Sequence, residues 1–208
     1  MKLFLASALD KTAPLLAKKL PKTKKPRKVL FVENADDYSE SDKSWIKLDR
    51  EALVKLGFEI VETDLRTIPQ EEFTKNLKTS DVIHFCGGSV LYLISLLRDK
   101  GFDKIIVEFV RKDKIIYSSS SAGSMIVAKD ISLSAVDTGE EKFVSKMKDF
   151  SGLGLTNFLI IPHSGNAEFL EGNKKIIEQL PKYSQPLIFL YDNQVVWVED
   201  DKVEFLFI

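Results

Sequence analysis

The chain has 208 residues, of which 44% are hydrophobic and 29% charged, and its formal net charge at pH 7 is −1. This length and composition predict one globular domain spanning residues 1–208. The balanced charge gives no general attraction to nucleic acid or to an anionic membrane, so we expect neither as a partner. The single cysteine, Cys86, excludes an internal disulfide and, with only two histidines, offers no zinc pattern, so we predict no metal and no cofactor.

The N-terminal segment, residues 1–8, could be taken for a signal peptide. Its apolar part is too short, however, and Asp10 and Lys11 follow at once, so we interpret it as a buried strand. No apolar stretch approaches the roughly 18 residues that a membrane-spanning helix needs. Together with the single cysteine, these features predict a cytoplasmic protein. A monomer and a homodimer both stay open.

Apolar runs typical of strands alternate along the chain with amphipathic runs typical of helices. Strands are predicted at residues 3–6, 29–32, 58–61, 82–85, 114–117, 158–161, 187–190, 195–198 and 203–207. Helices are predicted at residues 14–20, 44–56, 70–77, 90–98, 102–110 and 174–180. This alternation predicts an α/β fold with a doubly wound, mainly parallel sheet and helices on both faces. The last three strands are closely spaced and predict a C-terminal antiparallel meander.

In a doubly wound sheet, ligands bind beyond the carboxyl ends of the strands. Four segments occupy such positions in this sequence: residues 33–36, residues 86–89, the serine-rich residues 118–124 and Pro162-His163. We therefore expect these four segments to meet at one edge of the sheet.

The serine-rich segment reads Ser-Ser-Ser-Ser-Ala-Gly-Ser and lies between a predicted strand and a run with helical character. A strand, a tight turn of small residues and a helix form a nucleophile elbow, which exposes a serine hydroxyl beside a helix N-terminus. The common short form is Gly-x-Ser-x-Gly, and here Ser119 replaces the first glycine while Gly123 supplies the second. Taken alone, the segment is more typical of an ordinary turn, so the rest of the chain has to decide.

A serine nucleophile requires a base and a group that orients the base. His84 lies inside an apolar strand and is interpreted as a hydrogen-bonded core residue, whereas His163 follows a strand at the ligand edge and is the predicted base. Asp192, beyond the predicted strand 187–190, is the predicted orienting carboxylate. A simple Asp-Asn turn is the alternative interpretation of Asp192, and Asp36 and Asp37 are rivals for the role.

The oxyanion of an acyl-transfer reaction requires backbone donors. The N–H of Ala122 at the helix start is one candidate, and Gly87-Gly88 at the end of a neighbouring strand supplies the other, assigned to Gly88. A phosphate cradle at Gly87-Gly88 is less favoured, because the third glycine of a dinucleotide fingerprint is missing. Three small polar residues near these positions are predicted to contact the substrate: Ser89, Ser164 and Asn166.

Two segments depart from the alternation of strands and helices. Residues 18–28 hold seven basic residues and two prolines, and we interpret them as a solvated connection rather than a nucleic-acid patch. Residues 136–150 are charged and irregular, and they form either a lid over the site or a mobile loop. A further alternative is an amidotransferase-like enzyme that uses Cys86, which shares a face with His84 at alternating spacing.

Three motifs resemble the aspartyl dipeptidase (dipeptidase E) family of serine peptidases, which includes cyanophycinase-like enzymes. They are Gly-Gly before a Leu-rich helix, Ser-Ala-Gly at the elbow and Pro-His after the next long strand, and the resemblance covers residues 29–198. It implies a flavodoxin-like fold similar to class I glutamine amidotransferases, with serine in place of their cysteine. The roles implied by the resemblance are Ser121 as nucleophile, His163 as base, Asp192 as acid, and Gly88 and Ala122 in the oxyanion hole.

The sequence also departs from that family. Ser89 stands where the family commonly has asparagine, and Ser164 where it often has an aromatic residue. Only Lys174 and Lys175 follow His163 as cations, and lysine does not replace arginine in bidentate carboxylate recognition, so a preference for aspartate stays open. We expect a dipeptidase-like serine peptidase that cleaves small peptides through an acyl-enzyme. The alternative is an inactive domain that binds a small molecule or peptide on the same scaffold.

Overall fold

The structure is a computed structural model that describes residues 1–22, 25–38, 42–136 and 139–208. Its strands are β1 (Lys2–Ala6), β2 (Arg27–Val32), β3 (Phe58–Thr63), β4 (Val82–Phe85), β5 (Ile116–Ser120), β6 (Leu159–Ile161), β7 (Leu187–Phe189), β8 (Gln194–Glu199) and β9 (Lys202–Phe207). Its α-helices are α1 (Leu9–Lys19), α2 (Ser44–Lys55), α3 (Gln70–Thr79), α4 (Val90–Asp99), α5 (Phe102–Arg111), α6 (Ala122–Met125), α7 (Glu141–Val144) and α8 (Leu170–Gln179).

A seven-stranded sheet forms the centre of the fold, in the order β3-β2-β4-β5-β1-β8-β9. The first five strands of this order are parallel, β8 pairs antiparallel with β1, and β9 pairs antiparallel with β8. Alternate residues of β1 enter two separate apolar cores, with Leu3 and Leu5 on one face and Phe4 and Ala6 on the other. The predicted α/β class, with a mainly parallel sheet covered on both faces, is confirmed.

One part of the predicted topology is wrong. Strand β7, which we placed in the C-terminal meander, pairs in parallel with β6 in a separate two-stranded sheet. This pairing continues past the end of β7, because Leu190 donates its N–H to the carbonyl of Ile161 and accepts one from Ser164. As a result, the segments that follow β6 and β7 lie side by side, although neither strand belongs to the central sheet.

The serine-rich segment is divided differently from the prediction. Strand β5 ends at Ser120 rather than at residue 117, because β1 and β4 pair with it along the serines. The helix that follows, α6, is a single turn. The hydroxyls of Ser119 and Ser124 form a hydrogen bond across this junction, with 2.8 Å between the two Oγ atoms, and both residues are fully buried. Ser118, Ser119 and Ser120 are therefore buried strand residues and not part of the turn.

The basic segment makes surface ion pairs where the structure describes it. Lys19 pairs with Glu204, and Lys28 lies 3.2 Å from Glu59. Residues 23 and 24 lie outside the described residues. Among the described residues, no helix has the length and apolar character needed to cross a membrane.

Gly123 in α6 allows the elbow to approach β4. A Cβ at this position would lie 2.4 Å from the carbonyl oxygen of Phe85 and 2.8 Å from its Cβ, far inside van der Waals contact. The backbone of a central strand cannot yield as a flexible side chain could. Glycine is therefore required for the elbow to close against the end of β4.

We predict that Gly123→Ala lowers the free energy of unfolding by about 3 kcal/mol or more, because the methyl group overlaps strand backbone. Gly57→Ala is the control, since Gly57 has a φ of +83° but no atom within 4 Å of its Cβ position. Its cost is the backbone strain alone, about 1 kcal/mol. Urea unfolding of both variants measures the difference, and equal losses would contradict the packing argument.

Candidate active site

Ser121 lies at the turn between β5 and α6 in a strained backbone conformation, with φ 48° and ψ −115°. Its N–H donates to the carbonyls of Ala6 (3.2 Å) and Ser7 (3.0 Å) at the end of β1. Its own carbonyl accepts N–H groups from Ser124 (2.8 Å) and Met125 (3.2 Å). A non-glycine residue keeps such a conformation only where its surroundings enforce it, and this is the geometry of a nucleophile elbow.

The structure brings Ser121, His163 and Asp192 into one hydrogen-bonded chain. His163 Nε2 lies 2.9 Å from Ser121 Oγ, and His163 Nδ1 lies 2.6 Å from Asp192 Oδ1. The histidine follows β6 with a positive φ of 57°, and the aspartate follows β7, so the parallel pairing of these strands sets their separation. The histidine ring also stacks on Phe169 with centroids 4.2 Å apart, which fixes the ring plane.

Ser7 connects the members of this chain and was not predicted from the sequence. Its hydroxyl accepts the backbone N–H of His163 at 2.7 Å and donates to Asp192 Oδ1 at 2.8 Å, and the residue is fully buried. Ser7 directly follows β1, which lies between β5 and β8. The rule that ligand-site residues follow the carboxyl ends of parallel strands could have identified it.

Asp192 is held as a carboxylate by its neighbours. Burial alone would raise its pKa, but the hydrogen bonds from His163 and Ser7 and the neighbouring charges of His163 and Lys11 lower it, and the net pKa lies below the usual value. The ammonium of Lys11, whose Nζ lies 3.5 Å from Asp192 Oδ2, also lowers the pKa of Asp192. A carboxylate at Nδ1 favours the tautomer with its proton on Nδ1, which leaves Nε2 free to accept a proton from Ser121.

Gly87 and Gly88 place the end of β4 against the elbow. A Cβ on Gly88 would lie 2.4 Å from the carbonyl carbon and oxygen of Ala35, and its φ of +141° is a conformation that L side chains rarely adopt. A Cβ on Gly87 would lie 3.1 Å from the Cβ of Ser121. Glycine at both positions lets backbone, rather than side chain, border the serine hydroxyl.

Two cavities open on either side of Ser121. The first has a volume of about 420 Å³ and is bordered by Ala122. The second, of about 380 Å³, is bordered by His163 and Asp192. Four residues border both cavities: Gly88, Ser121, Glu168 and Phe169. Both volumes fall in the range of small-ligand sites.

The predicted substrate contacts have different surroundings. Ser89 borders the first cavity, but its hydroxyl caps α4 by accepting the N–H of Tyr92 at 3.1 Å. Asn166 borders the second cavity and accepts the N–H of Glu168 at 3.1 Å. Ser164 borders neither of these cavities, and its buried hydroxyl has no hydrogen-bond partner among the described residues. The site therefore includes Ser89 and Asn166 at its borders but not Ser164.

The segment at residues 136–150 forms one wall of the first cavity. Gly139, Glu140, Lys142 and Phe143 border the cavity, and Phe143 packs into the apolar core. Glu140 is buried and accepts the N–H groups of Val90 (2.6 Å) and Leu91 (3.2 Å) at the start of α4. Residues 137 and 138 lie outside the described residues. In its described part, the segment is anchored on the site.

The rival carboxylates have other partners. Asp37 accepts hydrogen bonds from the hydroxyl of Tyr92 (2.7 Å) and from Asn34, and Asp36 is buried 3.6 Å from Lys43. Asp192 accepts the hydrogen bond from His163 instead. The structure thus favours Asp192 over both rivals as the orienting group.

Cys86 lies in a polar cluster behind the elbow, which the sequence does not predict because Asp49 joins it from α2. The donor atoms of Asp49, His84 and Cys86 lie within 4.8 Å of one another, and all three residues are buried. Asp49 accepts the hydroxyl of Ser120 at 2.5 Å, and His84 Nδ1 lies 3.1 Å from Ser118 Oγ, so His84 is a hydrogen-bonded core residue as predicted.

Burial raises the pKa of the Cys86 thiol, and the charge of Asp49 raises it further. The thiol is also fully buried and borders neither cavity beside Ser121. A nucleophilic cysteine requires access and a lowered pKa. The alternative that uses Cys86 as nucleophile is therefore wrong.

Known proteins similar to this chain are peptidases by name. An uncharacterized peptidase of Listeria innocua is 27% identical over 202 residues, which cover 97% of this chain and 94% of the relative. An uncharacterized peptidase of Pasteurella multocida is 28% identical over 176 residues, covering 84% of this chain and 83% of the relative.

Solved structures share the fold. A Listeria monocytogenes protein named as a candidate peptidase E superposes with a TM-score of 0.89 at 24% identity, over 100% of this chain and 98% of that chain. A peptidase from an acI-B1 actinobacterium gives a TM-score of 0.67 at 16% identity, over 99% and 87% of the two chains. At these identities the likeness establishes the fold alone.

The family relationship comes from the sequence as a whole. Residues 3–206 match the model of peptidase family S51, which confirms the resemblance to the dipeptidase E family. The match covers every element that positions Ser121, His163 and Asp192. The chain belongs to peptidase family S51 and is a peptidase of the serine hydrolase type.

Proposed function

We propose that this peptidase hydrolyses short peptides, dipeptides in particular, through a Ser121–His163–Asp192 triad and an acyl-enzyme. The observation that carries the proposal is the hydrogen-bonded chain between these residues, at 2.9 and 2.6 Å. The two flanking cavities, about 420 and 380 Å³, give room for one residue on either side of the scissile bond. Gly139, Glu140, Lys142 and Phe143 border the first cavity on one side, which favours short substrates over extended ones.

The first half of the reaction forms the acyl-enzyme. His163 Nε2 takes the proton from Ser121 Oγ as the oxygen attacks the scissile carbonyl carbon, and Asp192 stabilises the resulting imidazolium. The carbonyl oxygen gains negative charge and accepts N–H groups, which we assign to Ala122 and Gly88. The C–N bond then breaks, and His163 gives its proton to the leaving amine. In the second half, water attacks the acyl carbon and gives its proton to His163 Nε2. The bond between Ser121 Oγ and the acyl carbon then breaks, and His163 returns the proton to Ser121.

The non-catalytic alternative receives no support from the geometry. A domain that only binds peptides needs no hydrogen bond between Ser121 and His163, and no strained serine conformation. Both features are present, and strain is retained where a function requires it.

We also infer a cytoplasmic location, supported by the free, buried thiol of Cys86, which is typical of a reducing compartment.

Ser121→Ala should lower the rate of dipeptide hydrolysis by roughly 10³-fold or more, because it removes the nucleophile. The matched control is Ser120→Ala, since the Ser120 hydroxyl donates to Asp49 rather than to His163. Labelling with a fluorophosphonate and mass spectrometry should give an adduct in the wild type and in Ser120→Ala but not in Ser121→Ala. An adduct that persists in Ser121→Ala would falsify the assignment of the nucleophile.

Asp192→Asn should lower kcat by roughly 10³- to 10⁴-fold, because an amide no longer selects the histidine tautomer. Ser7→Ala should lower it by roughly ten- to a hundredfold, since both His163 and Asp192 lose a positioning partner. Asp201→Asn, at an exposed position between β8 and β9, is the control. Steady-state kinetics on one dipeptide measures all three, and wild-type kcat in Asp192→Asn would exclude the triad.

The lowered pKa of Asp192 also predicts a pH dependence of stability. A carboxyl group whose pKa is lower in the folded state stabilises the protein above its unfolded pKa, near 4, and this contribution is lost as the pH falls through the folded value. The stability difference between wild type and Asp192→Asn should therefore shrink below about pH 4. Urea unfolding between neutral and acidic pH tests this, and a constant difference would count against it.

A further inference from the structure

We propose that the peptidase prefers substrates whose residue on the acyl side of the scissile bond is positively charged, and that it discriminates against aspartate and glutamate there. This inference rests on the proposed function, since it concerns the substrate of the same site. It differs from what the resemblance to aspartyl dipeptidases implies.

The positions of the catalytic groups assign the two cavities. His163, which gives its proton to the leaving amine, borders only the second cavity, so the leaving residue lies there. Ala122, the residue after the nucleophile, borders only the first cavity. The acyl residue of the substrate therefore occupies the first cavity.

The charged residues that border the first cavity are mostly acidic. Four carboxylates border it, against one ammonium, that of Lys142. The carboxylates belong to Asp36, Glu140, Glu168 and Glu171. The ammonium of Lys142 lies over the rings of Tyr38 and Phe143, at 5.2 and 5.1 Å from their centroids, so it is held at the wall.

Two of the four carboxylates are engaged within the protein, and two face solvent. Asp36 is buried 3.6 Å from Lys43, and Glu140 caps α4. Glu168 and Glu171 are exposed and form no ion pair with any residue that the structure describes. They lie around the start of α8 and border the first cavity, where the acyl residue of a dipeptide brings its α-ammonium and, in a basic residue, a second positive charge on the side chain.

The backbone site that could have received an acidic side chain is already filled. The N–H groups at the start of a helix attract anions, and α4 begins two residues after Gly88. There the carboxylate of Glu140 accepts N–H groups from Val90 and Leu91, and the hydroxyl of Ser89 at 2.7 Å. An acidic substrate residue would meet this carboxylate instead of free donors.

The second cavity does not supply a separate charge argument. Four carboxylates border it, those of Asp10, Asp49, Glu168 and Asp192, together with one ammonium, that of Lys11, whose Nζ lies 3.5 Å from Asp192. The inference therefore rests on the first cavity, where Glu168 and Glu171 are exposed.

The test compares dipeptides that share one second residue and differ only in the first. A Lys-led and a Met-led dipeptide have first side chains of similar length, so their comparison tests the effect of positive charge. A Glu-led and a Gln-led dipeptide have first side chains of the same shape, so their comparison tests the effect of negative charge. We expect kcat/KM to be about three- to tenfold higher for the Lys-led than for the Met-led dipeptide, and lower by a similar factor for Glu-led than for Gln-led. Both ratios should shrink at high salt.

The variants assign the preference to named residues. In the double variant Glu168→Gln with Glu171→Gln, both ratios should fall towards one, whereas Glu178→Gln should keep them, because Glu178 lies on the same helix but borders neither cavity. Unchanged ratios in the double variant overturn the assignment to these carboxylates.

The outcomes separate this inference from the proposed function. If wild type hydrolyses the Met- and Gln-led dipeptides and Ser121→Ala does not, the proposed function stands whatever the charge preference. If the Glu-led dipeptide is then hydrolysed as fast as the Gln-led dipeptide, or faster, the inference alone is overturned. Absence of hydrolysis for every dipeptide overturns the proposed function and the inference with it.

Discussion

The carboxyl end of β1 ties the segments of the active site together. The carbonyls of Ala6 and Ser7 accept the N–H of Ser121, and the Ser7 hydroxyl accepts the N–H of His163 while it donates to Asp192. Ser121, His163 and Asp192 thus each form a hydrogen bond to Ser7. Because β1 lies between β5 and β8 and is buried on both faces, this anchor cannot move without disturbing both cores.

Small residues let the other segments reach this anchor. Gly123 packs against the carbonyl of Phe85, Gly88 against the backbone of Ala35, and Gly87 against Ser121 itself. At each position a methyl group would lie within about van der Waals contact or closer, so the approach of backbone to backbone depends on glycine. Hydrogen bonds to the N–H and the carbonyl of Ser121 hold this residue in its strained conformation.

The residues around Ser121 that would carry the reaction are distinct from the charged residues that would set the substrate preference. In the proposed mechanism, the reaction depends on atoms around Ser121 and His163, which lie in the part of the chain that matches family S51. The charge of the surroundings comes from other segments, namely the wall that carries Glu140 and the start of α8 that carries Glu168 and Glu171. Surface carboxylates can change without altering the hydrogen bonds of the triad, so the preferred substrate can differ between relatives that share the chemistry.

The sequence by itself determined the α/β class, the elbow and the candidates Ser121 and His163, and it left Asp192 with two rivals. These features follow from local patterns: the alternation of apolar runs, small residues after a strand, and polar residues at strand ends. The sequence pattern wrongly placed β7 in a C-terminal meander, and it did not identify Ser7, Asp49 or the role of Glu140. Only the tertiary structure decided these, because they depend on which distant segments meet. Strand partners are chosen by packing between elements, and a hydroxyl such as that of Ser7 becomes part of a site only when β1, β6 and β7 bring their ends together.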